Sequence, residues 1–472
     1  MKRILPLLLC LALILCGATA CKPDNITYPT EITDPDQNLP EDQPASQEKE
    51  EAPQEEQKEE SPAPSQDGAH PFAAANFKFS ADTKLSLPTG GFVKADAAEA
   101  LKDRTITFYT AREEASFSYV NRKGRTITDQ VWTTAVAKEY GFTAKVYVKS
   151  AETSLKTQRI ALLAGKDISL LQLRAEDLAS GYALARSAES LLDKSIATYG
   201  ISTAVLEQSN HTFFAPQGYA NALWYNKALL PEGTDPGALA KENKWTIDRF
   251  KAVYENAAQK SVMPLQMELL PWATLSGKNP LTLANGKLDQ NLYAKDTREA
   301  FQKISALFTA LPTFEANADT AYSLQAGNLA MSYTDLPAQS EKVAYGYAPL
   351  PALEEGKAGT VTFSGTFMAL PKYRSDAEAD SAALAFIELW CNRSTEARAA
   401  QLAKRGIKGE DYVNFISLAE QNGLLLLRDA EIETLVQPYL SGLFDSAVDM
   451  EKAYAEIKTN LSNLLTRFNL YY

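Results

Sequence analysis

Residues 144–173 read AKVYVKSAETSLKTQRIALLAGKDISLLQL, and the order of patterns in this stretch decides the fold class. Ala144 to Lys149 alternates, with Val146 and Val148 on one face, as a strand does. Leu155, Ile160, Leu162 and Leu163 then recur at helical spacing, and Gly165 stands where that helix would close. Ile168 to Leu173 is nearly continuous apolar sequence, the pattern of a strand buried on both faces. Upstream, Thr105 to Tyr109 alternates through Ile106 and Phe108. Val131, Trp132, Ala135 and Val136 follow at helical spacing, between Thr128 as a candidate N-cap and Gly141 just past the end. Strand-helix-strand-helix-strand over about 70 residues predicts a doubly wound α/β lobe with ligands at the carboxyl ends of its strands.

The remainder is helix-rich with occasional strands. Ser375 and Glu378 read as a capping box ahead of Ala383, Phe386, Ile387 and Trp390. Met450, Tyr454, Ile457, Leu461, Leu464 and Phe468 form one apolar stripe on a final helix. The chain has 472 residues, enough for two domains with real cores.

The formal net charge of -12 argues against a nucleic-acid partner. It is unevenly placed: residues 22–70 hold 14 Asp/Glu and 3 Lys, while the chain after Phe72 holds 45 acidic and 42 basic residues. The acidity therefore belongs to a Pro-, Glu- and Gln-rich segment with little to bury, which reads as a disordered tether. Ahead of it, Lys2 and Arg3 precede an apolar run from Leu5 to Leu15, then Ala18-Thr19-Ala20-Cys21. That is the layout of a secretory signal, and the run is shorter than the roughly 20 residues of a membrane-spanning helix. The ending resembles a bacterial lipobox, with Ala18 where Leu is usual, which implies lipidation of Cys21. Ordinary cleavage after Ala20 is the alternative. Cys10 and Cys16 lie in the signal, so Cys21 and Cys391 remain, too few for a disulfide framework. Cys391, beside Trp390, reads as a buried small hydrophobe.

Enzyme readings find little support. The two histidines are His70 in the tether and His211 in the body. A nucleophile-and-histidine site would rest on His211 alone, and zinc would lack ligands. Neither a Walker-type glycine loop nor a dinucleotide fingerprint is present, so no cofactor or metal is expected. A carboxylate-pair glycosidase is the enzyme alternative, because any acidic protein offers candidate pairs.

Four stretches, in order, resemble the family 1 extracellular solute-binding proteins, the sugar-type receptors of ABC importers. They are LWYNKALL at 223–230, TIDRF at 246–250, LQAGNLAMSY at 324–333 and YGYAPLP at 345–351. In the second, Ile247 and Arg249 replace the family's Trp and Glu. The last matches the family's strand returning through the hinge. Gly365 to Lys372 and the Ala383 to Trp390 helix fit as well, as does Asp167-Ile168.

The resemblance implies an α/β, two-lobe fold of the periplasmic-binding-protein type II kind, with doubly wound sheets joined by hinge strands. It assigns residues 1–20 to a lipoprotein signal peptide and 21–72 to the lipidated cysteine and tether. Residues 73–216 with 350–412 form lobe 1, and 217–349 with 413–472 form lobe 2. The expected function is capture of a small polar solute, a mono- or oligosaccharide, by hinge closure. A lipid-anchored, extracytoplasmic monomer would deliver it to ABC permease subunits. Delivery to a sensor or signalling partner is the alternative.

A sugar needs aromatic faces and planar polar groups. Candidates after the first strand are Arg112, Glu113 and Glu114, then Phe117 and Tyr119; after Leu171 they are Gln172 and Arg174. A solvated surface is the alternative for both groups. Tyr219 and Asn221 lie at the first hinge crossing implied by the family. Trp272 would supply a platform from the second lobe, or pack. Tyr333 and Asp335 follow the Ala330-Met331 signature, and Ser364, Gly365 and Thr366 precede an apolar strand where glycine permits close approach. Trp132, Trp224, Trp245 and Trp390 read as core.

Overall fold

The alternating stretch at Thr105 forms a strand, Thr105–Ala111, paired in parallel with Thr143–Lys149 from Thr105↔Thr143 to Ala111↔Lys149. The helices Ala135–Tyr140 and Ala151–Leu163 alternate with these strands and with Leu171–Arg174. The computed structural model describes residues 78–79, 85–86, 97–111, 116–120, 126–130, 135–149, 151–192, 200–284, 286–317, 320–372, 376–445 and 448–470. The elements discussed below lie in one unit, Ala63–Phe314 with Tyr322–Tyr472.

Glycines close both helices for the reason their positions suggest: Gly141 and Gly165 adopt φ of +71° and +67°. Thr128 is a correction. It lies within the strand Thr126–Gln130, opposite Ser118, because its β-branched, alternating neighbours pair in a hairpin. Leu170 packs in one apolar cluster and Leu171 and Leu173 in another, so the run at Ile168 is buried on both faces. Its ladder with Thr366–Pro371 spans only Leu171–Arg174. Earlier, the Ser169 N–H donates to the Thr107 carbonyl at 2.7 Å, joining this strand to Thr105–Ala111.

Helix Ala377–Ala403 covers the face bearing Ile106 and Phe108, with the Phe108 and Phe386 rings 5.5 Å apart. Its N-cap is Asp376, whose side chain accepts from the N–H groups of Glu378 and Ala379. Ser375 lies outside the described residues.

A second sheet centres on Ala220–Asn226. Leu329–Thr334, Tyr345–Ala348 and Val361–Phe363 pair with it antiparallel. Met263–Gln266 and Gly423–Leu424 extend it in parallel through Leu329–Thr334 and Val361–Phe363 respectively. Asn226 ends the central strand and caps the following turn, accepting from the Ala228 N–H at 3.1 Å. Against the sheet lies helix Ile247–Gln259, and helices Lys295–Ala310, Ala430–Ser441 and Met450–Leu470 share its apolar cluster. The buried stripe of the last is Tyr454, Ile457, Leu461, Leu465 and Phe468. Leu465 replaces the expected Leu464, because the contact face follows the helical period of 3.6 residues.

Two antiparallel segments run through both sheets. Phe214 pairs with Met368 in the first, and Ala220 and Asn221 pair with Phe363 and Thr362 in the second. Between these pairings lie Gly218 and Gly365, with φ of +77° and +80°. Each lets its strand bend from one sheet plane to the other, a backbone conformation that a Cβ would oppose. Tyr345–Ala348 stays with the second sheet, and the return passage is Val361–Pro371.

Glu420 fastens helix Glu410–Asn422 to helix Thr203–Gln208, accepting from the Ala204 N–H at 3.1 Å and the Thr203 hydroxyl at 3.2 Å. Burial outweighs these bonds and raises its carboxyl from 4.5 to about 7. The folded protein therefore holds this proton more tightly than the unfolded chain does. We expect stability to fall as pH rises from about 4.5 to about 7, by on the order of 3 kcal/mol, and to level off above. Urea melts across that range should show the slope flattened in Glu420→Gln; an unchanged slope would remove Glu420 as its source.

Candidate functional site

Behind the crossing, an arginine gathers the chain. Arg398 is 1 % exposed and holds the Asp335 carboxylate with Nη1 at 3.1 Å and Nη2 at 2.6 Å. Its Nη2 also donates to the Asp335 carbonyl at 2.8 Å, and its Nε to the Gly218 carbonyl at 2.8 Å. Its guanidinium lies 4.7 Å from the centroid of the Tyr219 ring. The Ser364 hydroxyl donates to Asp335 Oδ1 at 2.5 Å, and the Ser364 N–H to the Tyr219 carbonyl at 3.1 Å. Four residues expected at the site, Tyr219, Asp335, Ser364 and Gly365, are thus brought together, with their polar groups joined largely to one another. Burial raises the Tyr219 phenol to about 12, so it stays neutral.

Farther along the second sheet Asn221 of the central strand and Tyr333 of Leu329–Thr334 meet at Thr362. The Asn221 amide donates to the Thr362 hydroxyl at 3.3 Å, and the Tyr333 and Thr362 hydroxyls share a bond of 3.0 Å. Burial raises the Tyr333 phenol well above its ordinary value, and the nearby Glu268 carboxylate adds to this. Glu268 in turn forms an ion pair with Arg428 at 3.1 Å, and the Arg428 Nε and Nη2 donate to Glu433 at 2.6 and 3.0 Å.

The loop after Leu171–Arg174 reaches the same region from the first sheet. Arg174 donates to Asp177 at 2.9 and 3.4 Å and lies 4.0 Å from Glu176, whose charge also acts on Arg428. The Ala179 N–H donates to the Arg428 carbonyl at 2.9 Å, and the Ser180 hydroxyl donates to Asp429. Asp429 is the N-cap of Ala430–Ser441, which holds its carboxylate in place. The result is a polar belt contributed by both sheets: Arg174, Glu176 and Asp177 from one, Glu268, Arg428 and Glu433 from the other. Beneath Arg428 the space among Leu270, Leu281, Leu292 and Ile432 is about 20 Å³, room for one water and not for a solute.

Trp272 lies away from both groups. It is fully buried, with ring centroids of Phe308 at 4.9 Å and Phe250 at 5.3 Å, so it packs and presents no platform here. Gln172 is a buried strand residue whose N–H donates to Gln158 Oε1 at 3.2 Å, while its own Oε1 has no hydrogen-bond partner. Thr366 pairs with Arg174 at the start of the second crossing strand. Arg112, Glu113, Glu114, Trp132 and Cys21 lie outside the described residues. Phe117 and Tyr119 fall on the strand Ser116–Val120. Trp224, Trp245, Trp390 and Cys391 are buried as expected. Glu176, Asp177, Glu268, Arg428 and Glu433 were not among the expected residues. The one local signal was the Arg428-Asp429 pair directly before a helix.

Among the described residues no group of three or more His, Cys, Asp or Glu side chains is placed to hold a metal ion. None of the described helices is long and apolar enough to cross a membrane.

Residues 138–391, more than half of the chain, match the family model of the bacterial extracellular solute-binding protein. No curated protein matches the sequence. Among solved structures, a cyclo/maltodextrin-binding protein complexed with maltotetraose is similar at 15 % identity, with a TM-score of 0.52 over 77 % of this chain and 98 % of that one. A family 1 extracellular solute-binding protein from Bifidobacterium longum subsp. infantis is 16 % identical, with a TM-score of 0.49 over 76 % of this chain and all of that one. A cyclic α-maltosyl-1,6-maltose binding protein from Arthrobacter globiformis is 12 % identical, with a TM-score of 0.49 over 78 % and 99 %. Together with the family match, the first similarity identifies the fold as the two-lobe, type II periplasmic-binding-protein kind.

Removing one partner of the Arg398–Asp335 pair strands a buried charge. Asp335→Ala should therefore cost about 3 kcal/mol, discounted for the partial exposure of Asp335, whereas Arg398→Met with Asp335→Leu should recover much of it. Denaturant melts of the two single variants and the double variant would check this; additive losses would show that the pair does not act as a unit.

Proposed function

The chain belongs to the bacterial extracellular solute-binding protein family, and on that premise we propose that it captures a carbohydrate between its lobes and delivers it, unchanged, to an ABC importer. The observation that carries this reading is the floor built on the crossing strands. There the partly exposed Asn221 is held from below by the buried Thr362 and Tyr333 in one hydrogen-bonded group, bordered by a belt of charged side chains from both sheets. Hydroxyls and carboxylates in a fixed array suit a polyol, which donates and accepts at every carbon.

Closure follows from the same strands. Gly218 and Gly365 are bends at which small backbone rotations would swing one lobe on the other. A solute touching both lobes would favour the closed form by its differential contacts. With the return crossing at Gly365, lobe 1 comprises 73–216 with about 365–412, and lobe 2 comprises 217–364 with 413–472, so the expected boundary at 350 moves to the crossing. The solved structure with a TM-score of 0.52 is a cyclo/maltodextrin-binding protein complexed with maltotetraose, which supports a saccharide here. Arg112 and Glu113 stay candidates for contact with the solute in this proposal, and the receptor acts as a monomer. Lipid on Cys21 anchors it outside the cell, with residues 22–72 as tether.

A panel of mono- and oligosaccharides, with amino acids and polyamines for contrast, tests the capture. A ligand at 100 times its Kd stabilises by about 2.7 kcal/mol, a melting shift of a few degrees for a protein of this size. A shift confined to one saccharide class, with the sugar recovered intact, is expected. A shift from a non-sugar alone would end the carbohydrate assignment, and hydrolysis of a glycoside would end the receptor reading. The anchor has its own test: Cys21→Ser should release the protein from the membrane fraction into the medium, and retention would argue against lipidation.

A further inference from the structure

The two arginines of the belt are already occupied. Arg428, 14 % exposed, is held by both oxygens of Glu433 and by Glu268 at 3.1 Å. Arg174 is held by both oxygens of Asp177 and approached by Glu176 at 4.0 Å. The carboxylates outnumber the cations, four to two. The exposure is also unequal: the side chains of Glu268 and Glu176 are 64 % and 49 % exposed, whereas the arginines lie lower. The third cation of the crossing, Arg398, is buried on Asp335. Solvent, and anything entering from it, therefore meets carboxylate oxygens ahead of guanidinium groups.

We infer that the cleft accepts solutes bearing hydroxyl or amino donors and rejects anionic ones, with Glu176 and Glu268 as the excluding residues. This deepens the solute-capture reading and rests on it for the place of entry. A carboxylated or phosphorylated sugar would need a bidentate arginine to make the charge-assisted bonds its anion requires. To reach one it must displace a carboxylate that already makes them, and then sit beside the displaced charge. An uncharged sugar meets no such barrier, because its hydroxyls donate to the same oxygens.

The test uses the purified protein with inorganic phosphate and glucuronate as anionic probes, and chloride at equal ionic strength as the reference. The wild type should show no melting shift with either probe. The double variant Glu176→Gln, Glu268→Gln should gain a shift of a few degrees with phosphate, because the two exposed charges that repel it are gone and the Arg428 Nη1 loses its Glu268 partner. Both side chains are well exposed, so this variant should fold; Glu268→Gln alone provides a milder version with a smaller gain. Glu207→Gln, an exposed carboxylate on helix Thr203–Gln208, controls for the loss of one negative charge in Glu268→Gln and should gain nothing. Stabilisation of the wild type by phosphate or glucuronate overturns the inference. So does a double variant that stays indifferent to phosphate, since Glu176 and Glu268 would then exclude nothing. An inert wild type and a phosphate-responsive variant, with no sugar shift in the earlier panel, would sink the carbohydrate reading and leave charge selection standing.

Discussion

A buried guanidinium at the back of the crossing is the constraint on which the site depends. Desolvating a charge is expensive, and Arg398 persists because its carboxylate, carbonyl and aromatic partners are all supplied by the crossing itself. Those partners come from two separate stretches of chain, around Gly218 and Asp335, and Ser364 ties a third to them through the Asp335 carboxylate. The strands that pass between the sheets are thereby held at a fixed spacing, although two positive-φ glycines make them the bendable part of the backbone. Stiff side-chain bonding around a flexible main chain gives a pivot with a defined position.

The floor inherits its geometry from that pivot. Asn221, Thr362 and Tyr333 stand on neighbouring strands of the second sheet, so pairing sets their separation. The belt beside them has a different origin. Asp429 caps a helix and takes the Ser180 hydroxyl as well, which brings the loop after Arg174 against Arg428. Cap and belt are one construction: the bond that starts the helix also sets which charges face each other across the sheets. Their sign balance, four carboxylates over two saturated arginines, is the basis of the proposed preference among polar solutes.

Trp272 shows how far residue type can mislead. A tryptophan after a proline, in a stretch without periodicity, suits a sugar platform, yet it fills the space among Phe250, Phe308 and Phe444. Those phenylalanines lie on other elements, so no local window reveals the hole that the indole fills. Asp335 and Ser364 illustrate the converse. Their neighbourhood was legible from a signature and a glycine, but the bonding of Asp335 to Arg398, and of Ser364 to Asp335, was not, because an arginine deep in a long helix reads as surface.

By itself the sequence determined the strand-helix alternation of the first lobe, the glycines that close its helices, the apolar stripe of the last helix and the solute-binding family. Each is written in residues a few positions apart, where backbone periods of 2 and 3.6 sort apolar from polar side chains. Tertiary structure alone decided which polar groups meet. Arg398 reaches Asp335 across 63 positions and Ser180 reaches Asp429 across 249. An ion pair has no period; it exists only where the packing of distant segments removes water and leaves one partner within reach.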